Sequence, residues 1–192
     1  LELLSSTLGY ILSWITEFQK IHDSSIHDGL TGVLNRNAFD ERMVEEINRA
    51  NRTQQSLAII MFDLDKFKRI NDNYGHPYGD YVIKSTAQIL KDSVRNIDVV
   101  ARYGGEEFII ILVDTDISKC RHVAERMVEN ISKFDFDYND VKVRMTISAG
   151  MAEFPADTDK IESLIDKADK AMYESKRKGG NLVSFSYKNS TV

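Results

Sequence analysis

The feature that most constrains the fold is LAIIMFD, a nearly continuous apolar run at residues 57–63 that ends in a carboxylate. A strand that is apolar on both faces belongs inside a sheet covered on both sides, because a solvated face would carry polar residues. Helical and strand patterns alternate around this run, with one hairpin in the middle of the chain. We therefore expect an α/β (α+β sandwich) fold in which helices flank a mixed central β-sheet.

The other elements follow from periodicity and turn residues. Apolar residues recur every three or four positions in predicted helices at 81–94, 118–133 and 159–178. Further strands are predicted at 99–103, 108–113, 141–151 and 182–185, the first two forming the hairpin.

Two helix starts are predicted from capping residues. Asn37 is the expected cap of a helix that buries Phe39, Met43 and Ile47. Asp159 and Glu162 resemble a capping pair at the start of the last helix.

The first 26 residues carry a different pattern. Their spacing alternates between three and four residues, as in a coiled-coil heptad. The seam consists of Leu1, Leu4, Leu8, Ile11, Ile15, Phe18 and His22. Two interpretations stay open, an amphipathic helix packed on its own domain and a parallel stalk that pairs two chains. We favour the stalk, because a chain beginning at Leu1 suggests a piece of a longer protein. The expected units are a stalk at 1–26, a main domain at 27–188 and a frayed tail at 189–192.

Composition limits the partners and the compartment. The net charge of −5 argues against a nucleic-acid-binding surface. Cys120 is the only cysteine, so an internal disulfide is excluded and a reducing compartment fits. The apolar start is interrupted by charged residues and lacks the roughly 18 apolar residues of a membrane span. We expect a cytoplasmic segment that contacts no membrane, and leave attachment of a longer protein to a membrane open.

Carboxylates at the end of the buried run and in the hairpin suggest a metal site. Asp63 emerges where the first strand ends, whereas the direction of Asp65 is less certain because the strand ends between them. The hairpin carries Glu106 and Glu107 at its turn, and converging carboxylates need a cation. Hard oxygen ligands suit Mg²⁺, with Mn²⁺ as the alternative. In the competing interpretation the two glycines simply form a turn and the glutamates are solvated.

Several short motifs occur together in the order and spacing of one family. They are DGLTGVLNR at 28–36, DLDKFK at 63–68, ND at 71–72, GH at 75–76, GD at 79–80 and GGEEF at 104–108. On these residues the chain resembles the GGDEF family, the diguanylate cyclases, from about Asp28 to Phe185. The resemblance implies a fold like the palm of nucleotidyl cyclases and polymerases.

The resemblance also implies an activity. Two GTP molecules condense to cyclic di-GMP and release two pyrophosphates, with one GTP on each of two facing domains. The homodimer is expected to form through the N-terminal helix. By similarity, Asp63, the Leu64 carbonyl and Glu106 bind metal, and Glu107 shares this role. Glu106 is also assigned as general base, although a metal-bound carboxylate is a poor base.

Substrate contacts are assigned by the same resemblance. Catalytic roles fall on Glu106, Glu107 and Lys68, the lysine reaching the phosphates. The residues assigned to GTP binding are Asn71 and Asp80 for guanine, His76 for the nearby loop, Lys176 for the terminal phosphates, and Gly104 and Gly105 for close backbone approach. The chain departs from the family at Gly180, where a basic residue is usual, so we expect weaker GTP binding.

A second ligand site is expected upstream of the hairpin. Arg95 and Asp98 match the family's RxxD inhibitory motif, which binds the product, and Arg126 is the expected partner arginine from a neighbouring helix. Two rival functions remain. One is a catalytically silent module that binds GTP or cyclic di-GMP and dimerises, although this chain keeps the signature carboxylates. The other is a mononucleotide cyclase, which GGEEF and RxxD together disfavour.

Overall fold

The computed structural model describes Trp14 and residues 26–185. The helices are α1 (Arg36–Thr53), α2 (Phe67–Tyr74), α3 (His76–Asp92), α4 (Ile117–Lys133) and α5 (Ile161–Arg177). The strands are β1 (Leu57–Leu64), β2 (Val99–Arg102), β3 (Glu107–Leu112), β4 (Phe136–Tyr138), β5 (Val141–Val143), β6 (Ile147–Phe154) and β7 (Val183–Phe185).

Strand β1 is the centre of a five-stranded sheet with the order β2-β3-β1-β6-β7. It pairs antiparallel with β3 and β6, whereas β6 and β7 are parallel, so the sheet is mixed as predicted. All eight residues of β1 are buried. The predicted hairpin of β2 and β3 is also confirmed, with Arg102 opposite Phe108 at its tip.

Helices cover both faces of this sheet. Ile60 and Phe62 of β1 face a core built with α2, α3 and α4, whereas Ile59 and Met61 face a second core built with α1 and α5. Because side chains alternate along a strand, Asp63 lies on the α1 and α5 face. The two cores explain why the run at 57–63 has no polar face.

The predicted helix caps are wrong. Asn35, not Asn37, caps α1, because its extended backbone precedes the helix and its Oδ1 accepts from the Ala38 N–H at 3.0 Å. Helix α5 begins at Ile161 after Lys160, which makes no side-chain cap. Asp159 therefore lies too early to cap this helix, although the predicted helix itself is confirmed.

The region around the two predicted guanine contacts is helical rather than looped. Asn71 lies within α2, a short helix that the sequence did not predict because it buries only Phe67 and Ile70. Helix α3 starts at His76 instead of residue 81, so Asp80 lies inside the helix. Gly75, with φ 82°, separates the two helices. The first turn of α3 was missed because its proline and glycine are typical of loops.

The strand predicted at 141–151 is two strands. Strand β5 pairs with β4 in a separate hairpin, and β6 starts afresh at Ile147 in the main sheet. The hydroxyl of Tyr78 in α3 donates to Phe136 O at 2.5 Å and to Val141 O at 3.2 Å. These contacts hold the small hairpin against α3 and away from the main sheet.

The predicted heptad seam and the tail at 189–192 lie outside the described residues, apart from Trp14, which is helical and exposed. The stalk, the tail and the domain boundaries therefore remain predictions. Within the part of the chain that the structure describes, no helix combines the length and apolarity needed to cross a membrane.

Candidate active site

The GGEE hairpin lies directly beside the end of β1. Asp63 is opposite Glu107 in the β1–β3 register, and the Leu64 N–H donates to the Glu106 carbonyl at 3.4 Å. Phe108, the last residue of the motif, is fully buried and pairs with Phe62. The buried phenylalanines fix the register, and the register brings the carboxyl groups of two strands together.

Helix α5 adds a cation to these carboxylates. Lys176 in its last turn places Nζ 2.5 Å from Asp63 Oδ1, and the two side chains are 31% and 12% exposed. The helix approaches β6 closely because Gly150 has no side chain; a Cβ there would collide with the backbone of Ala168 and Met172. The close packing sets the depth at which Lys176 reaches the sheet.

The three carboxyl groups are electrostatically coupled. Burial raises the pKa of Asp63, and the Lys176 ammonium opposes that shift. Burial, followed by the charge of Asp63, raises the pKa of both Glu106 and Glu107, and Lys176 again acts in the opposite direction. A site that disfavours negative charge on three carboxyls favours an added cation.

The donor set fits a hard divalent cation. Asp63 Oδ1 is buried and accepts no hydrogen bond of good geometry from the described residues, although Lys176 forms an ion pair with it. Carboxylate and carbonyl oxygens are the ligands that Mg²⁺ prefers. No three His, Cys, Asp or Glu side chains are already arranged around a metal position in residues 26–185. The carboxylates beside the end of β1 therefore supply oxygen ligands for a metal ion, but they do not form a complete coordination shell by themselves.

The two predicted guanine contacts lie on adjoining helices. Asn71 in α2 faces the first turn of α3, where a Cβ at Gly79 would collide with its Oδ1. Asp80 follows Gly79 and is exposed, as is His76 at the start of α3. Lys68 is 85% exposed and pairs with Asp72 at 2.9 Å. Lys68 is thus a surface side chain that can be recruited by a ligand.

The hairpin tip is tied to the start of the domain. The guanidinium of Arg102 donates to the Gly105 carbonyl at 2.7 Å and pairs with Asp28 at 3.1 Å. Burial acts to raise the pKa of Asp28, but hydrogen bonds from Thr31, with the contribution of Arg102, lower it overall. The Glu107 carboxylate folds over Gly104, whose missing side chain leaves it room. A Cβ at Gly105 would meet nothing within 4 Å, so only Gly104 is required by a contact at the hairpin tip.

The predicted inhibitory residues line one cavity. Arg95 donates from both Nε and Nη2 to the carboxylate of Asp98, at 3.0 and 2.9 Å. Asp98 is 2% exposed at its side chain, whereas Arg95 is 56% exposed. Arg126 reaches the same cavity, of about 610 Å³, and donates to the Ser93 carbonyl at 2.8 Å. Arg126 from α4 and Arg95 from the loop after α3 therefore line the same cavity.

Two carboxylates near the site were not assigned from the sequence. Asp169 in α5 contributes to the raised pKa of Asp63 and of Glu107, and lines a cavity of about 620 Å³ with Glu107. Asp169 lies seven residues before Lys176, so both are on one face of the helix. This spacing was the sequence signal that could have placed Asp169 near the site. Asp65 accepts hydrogen bonds from two other segments of the chain. The only sequence signal for a role near the site was its position two residues after Asp63, which places both on the same side of an extended strand.

Comparison with known proteins identifies the family of this chain. The sequence model for "Diguanylate cyclase, GGDEF domain" matches residues 25–182. Diguanylate cyclase A of Treponema denticola is 43% identical over 143 residues, 74% of this chain and 38% of that protein. Diguanylate cyclase DosC of Escherichia coli K12 is 36% identical over 183 residues, 94% of this chain and 40% of that protein. The chain belongs to the GGDEF family of diguanylate cyclases.

Solved structures show the same fold. The coiled coil and GGDEF domain of DgcB from Caulobacter crescentus, solved in complex with c-di-GMP, has a TM-score of 0.87 at 27% identity and covers 95% of this chain and 96% of that one. The active GGEEF domain of a diguanylate cyclase from Vibrio cholerae has a TM-score of 0.76 at 29% identity, covering 81% and 98% of the two chains. This chain spans 38% and 40% of the two curated relatives described above.

Proposed function

We propose that this chain is a diguanylate cyclase that condenses two GTP molecules into cyclic di-GMP and releases two pyrophosphates. The observation that carries the proposal is the register of β1 with the hairpin, which pairs Asp63 with Glu107 and places the Glu106 carbonyl on the Leu64 N–H. Family membership and the relatives named diguanylate cyclase support it.

Asp63, the Leu64 carbonyl, Glu106 and Glu107 are the proposed metal ligands. A bound Mg²⁺ would lower the pKa of the attacking 3′-hydroxyl and neutralise charge on the triphosphate. The chain itself supplies the remaining polar contacts. Lys176 provides an ammonium beside the carboxylates, and a carboxylate of the hairpin accepts the hydroxyl proton. Glu106 is our assignment for that base.

Guanine is proposed to bind across the junction of α2 and α3. A carboxylate can accept from guanine N1 and N2 together, which suits Asp80, and the amide of Asn71 can meet O6 or N3. His76 adjoins this junction. Lys68 would exchange its exposed pairing with Asp72 for the phosphates, a small loss because solvated ion pairs contribute little.

Dimerisation and feedback complete the proposal. One domain holds one GTP, so ring closure requires a second copy, and the heptad seam motivates pairing through the N-terminal helix. Arg95, Asp98 and Arg126 are proposed to bind cyclic di-GMP, because a guanidinium suits both phosphate and the guanine edge.

The test is incubation of the chain with GTP and Mg²⁺, followed by chromatography for cyclic di-GMP. We expect product, and a specific activity that falls on dilution as the dimer dissociates. GTP binding without product would instead identify a silent binding module. A constant specific activity at low protein concentration would contradict the dimeric mechanism.

Glu106→Gln is expected to abolish product formation and yet stabilise the metal-free protein. Because burial and the charge of Asp63 raise the pKa of Glu106 from its ordinary 4.5, the folded state holds this proton more tightly than the unfolded chain. Ionised Glu106 therefore lowers stability, an effect absent below pH 4.5 and complete above the raised pKa.

In EDTA at pH 8, the melting temperature of Glu106→Gln should be about 1–2 °C higher than that of the unmodified chain. The expected difference is small because solvent screens the charge of Glu106. The gain should shrink at pH 5. Glu125→Gln, an exposed glutamate of α4 paired with Arg121, is the control and should change little. A lower melting temperature for Glu106→Gln at pH 8 would refute the electrostatic account.

Arg95→Ala is expected to weaken cyclic di-GMP binding by at least about tenfold, because it removes the guanidinium that we propose contacts the phosphate or the guanine edge of the ligand. Calorimetric titration with cyclic di-GMP in the absence of GTP measures this directly. Arg121→Ala removes a surface arginine from α4 and serves as the control. Equal affinities of Arg95→Ala and the unmodified chain would place the inhibitory site elsewhere.

A further inference from the structure

Asp65 lies just beyond β1, and its carboxylate joins three segments of the chain. Thr146 Oγ1 donates to Oδ2 at 2.7 Å, Ser148 Oγ donates to Oδ1 at 2.7 Å, and the Asn181 N–H donates to Oδ2 at 2.8 Å. The Asp65 N–H in turn donates to Thr146 O at 2.9 Å. We call Asp65 with these three donors the Asp65 latch. It ties the end of β1 to β6 and to the loop after α5.

The loop after α5 is shaped around this carboxylate. Gly180 has φ +78°, and a Cβ built on it would lie 2.7 Å from Asp65 Oδ2. The Gly180 N–H donates to Ser175 O and the Gly179 N–H to Lys176 O, both at 3.1 Å. These bonds end the helix and present the next N–H, that of Asn181, to the latch. A side chain at 180 would strain the backbone and displace the carboxylate.

The same loop determines the position of Lys176. This lysine lies one helical turn before Gly180, and its Nζ contacts Asp63, two residues from Asp65. One strand end therefore holds the end of α5 at two points, through the Asp63 ion pair and through the latch. The Lys176 ammonium has three N–H donors, so it can share the Asp63 contact with a phosphate or exchange one for the other. The latch does not involve the lysine side chain. The latch can thus keep the helix end in place while the lysine changes partner.

We propose that Asp65 is a positioning residue that sets GTP affinity through Lys176, and that in this chain the Asp65 carboxylate occupies the space that a side chain at Gly180 would need. This rests on the proposed function, because phosphate is the ligand assigned to Lys176. It also reverses an expectation from the family pattern. Restoring a basic residue with Gly180→Arg weakens GTP binding, because the new side chain breaks the latch.

The first experiment measures binding of a fluorescent GTP analogue with Mg²⁺. Asp65→Asn replaces one acceptor oxygen with a donor and should raise the Kd and the KM for GTP at least about fivefold, with a smaller change in kcat. In a Lys176→Ala background the same substitution should add little, because coupled residues are not additive. Fully additive effects would overturn the proposal. Asp137→Asn, which removes a surface carboxylate paired with Lys142, controls for net charge.

The second experiment uses Gly180→Ala and Gly180→Arg. Both should raise the Kd for the GTP analogue, the arginine variant included despite its added positive charge. Tighter binding by Gly180→Arg would overturn the proposal. Gly32→Ala is the matched control, because Gly32 has φ +71°, similar to that of Gly180, and a Cβ there meets nothing within 4 Å.

A third measurement is independent of activity. Amide exchange followed by NMR should show the Asn181 N–H exchanging at least about tenfold faster in Asp65→Asn, because its acceptor is weakened. An unchanged rate would overturn the latch. If the unmodified chain binds GTP but forms no cyclic di-GMP, only the proposed function falls, and the exchange and affinity results still decide the latch. If it binds no GTP, both proposals fall.

Discussion

Replacing Asp63 with asparagine is expected to lower cyclic di-GMP formation by at least about 10³-fold, because loss of a charged ligand that we propose for the metal would remove several kcal/mol of transition-state stabilisation. The side chain is nearly isosteric, so β1 should keep its register with the hairpin. The loss should appear in kcat as well as in KM, since the metal that Asp63 is proposed to hold would act on the reacting phosphate. Initial rates of product formation at saturating GTP and Mg²⁺ measure it.

Two controls separate lost chemistry from lost structure. Asp63→Asn should retain the melting temperature of the unmodified chain within a few degrees, although Lys176 loses its partner. Asp135→Asn, a surface carboxylate paired with Arg144, should retain full activity. Near-normal product formation by Asp63→Asn would remove the metal assignment and the proposed mechanism with it.

The largest effect on stability is expected at Gly150. A Cβ at this position would overlap the Met172 N and the Ala168 O of α5, and backbone atoms in a helix cannot move aside singly. Gly150→Ala therefore forces α5 away from β6 and should lower the free energy of unfolding by about 3 kcal/mol. Urea denaturation measures the change.

The displaced helix should also carry Lys176 away from the site. Gly150→Ala is thus expected to bind GTP more weakly than the unmodified chain under conditions where it remains folded. Gly29→Ala, at an open position, should leave both stability and binding unaffected. A Gly150→Ala protein with normal stability would show that α5 does not depend on this close approach.

Much of the fold followed from local pattern. The run at 57–63 predicted a strand covered on both faces, and β1 is fully buried because its alternate side chains enter two separate cores. The hairpin followed from two apolar segments around a glycine pair. Boundaries were less reliable: α2 was missed because it buries only two side chains, and caps were misplaced because several polar residues compete for the same role.

The candidate site divides in the same way. Asp63, Glu106 and Glu107 could be named from the sequence, because their positions at a strand end and a turn are local properties. Their neighbours could not all be named. Asp169 and Asp65 entered only with the docking of α5 and β6, since a carboxylate alone does not reveal its partner. Gly180 illustrates the difference. The family pattern suggested that a contact from a basic side chain to GTP is lost, whereas the structure shows that the Asp65 carboxylate fills the space beside Gly180.

The sequence by itself determined the family, the buried central strand and the identity of the carboxylates, because these depend on residue type and short spacing. Tertiary structure alone decided which of them meet. Asp65 and Asn181 are 116 residues apart, and Lys176 reaches Asp63 only because α5 packs closely on β6. Such contacts depend on the packing of whole elements around shared cores, which periodicity along the chain does not encode.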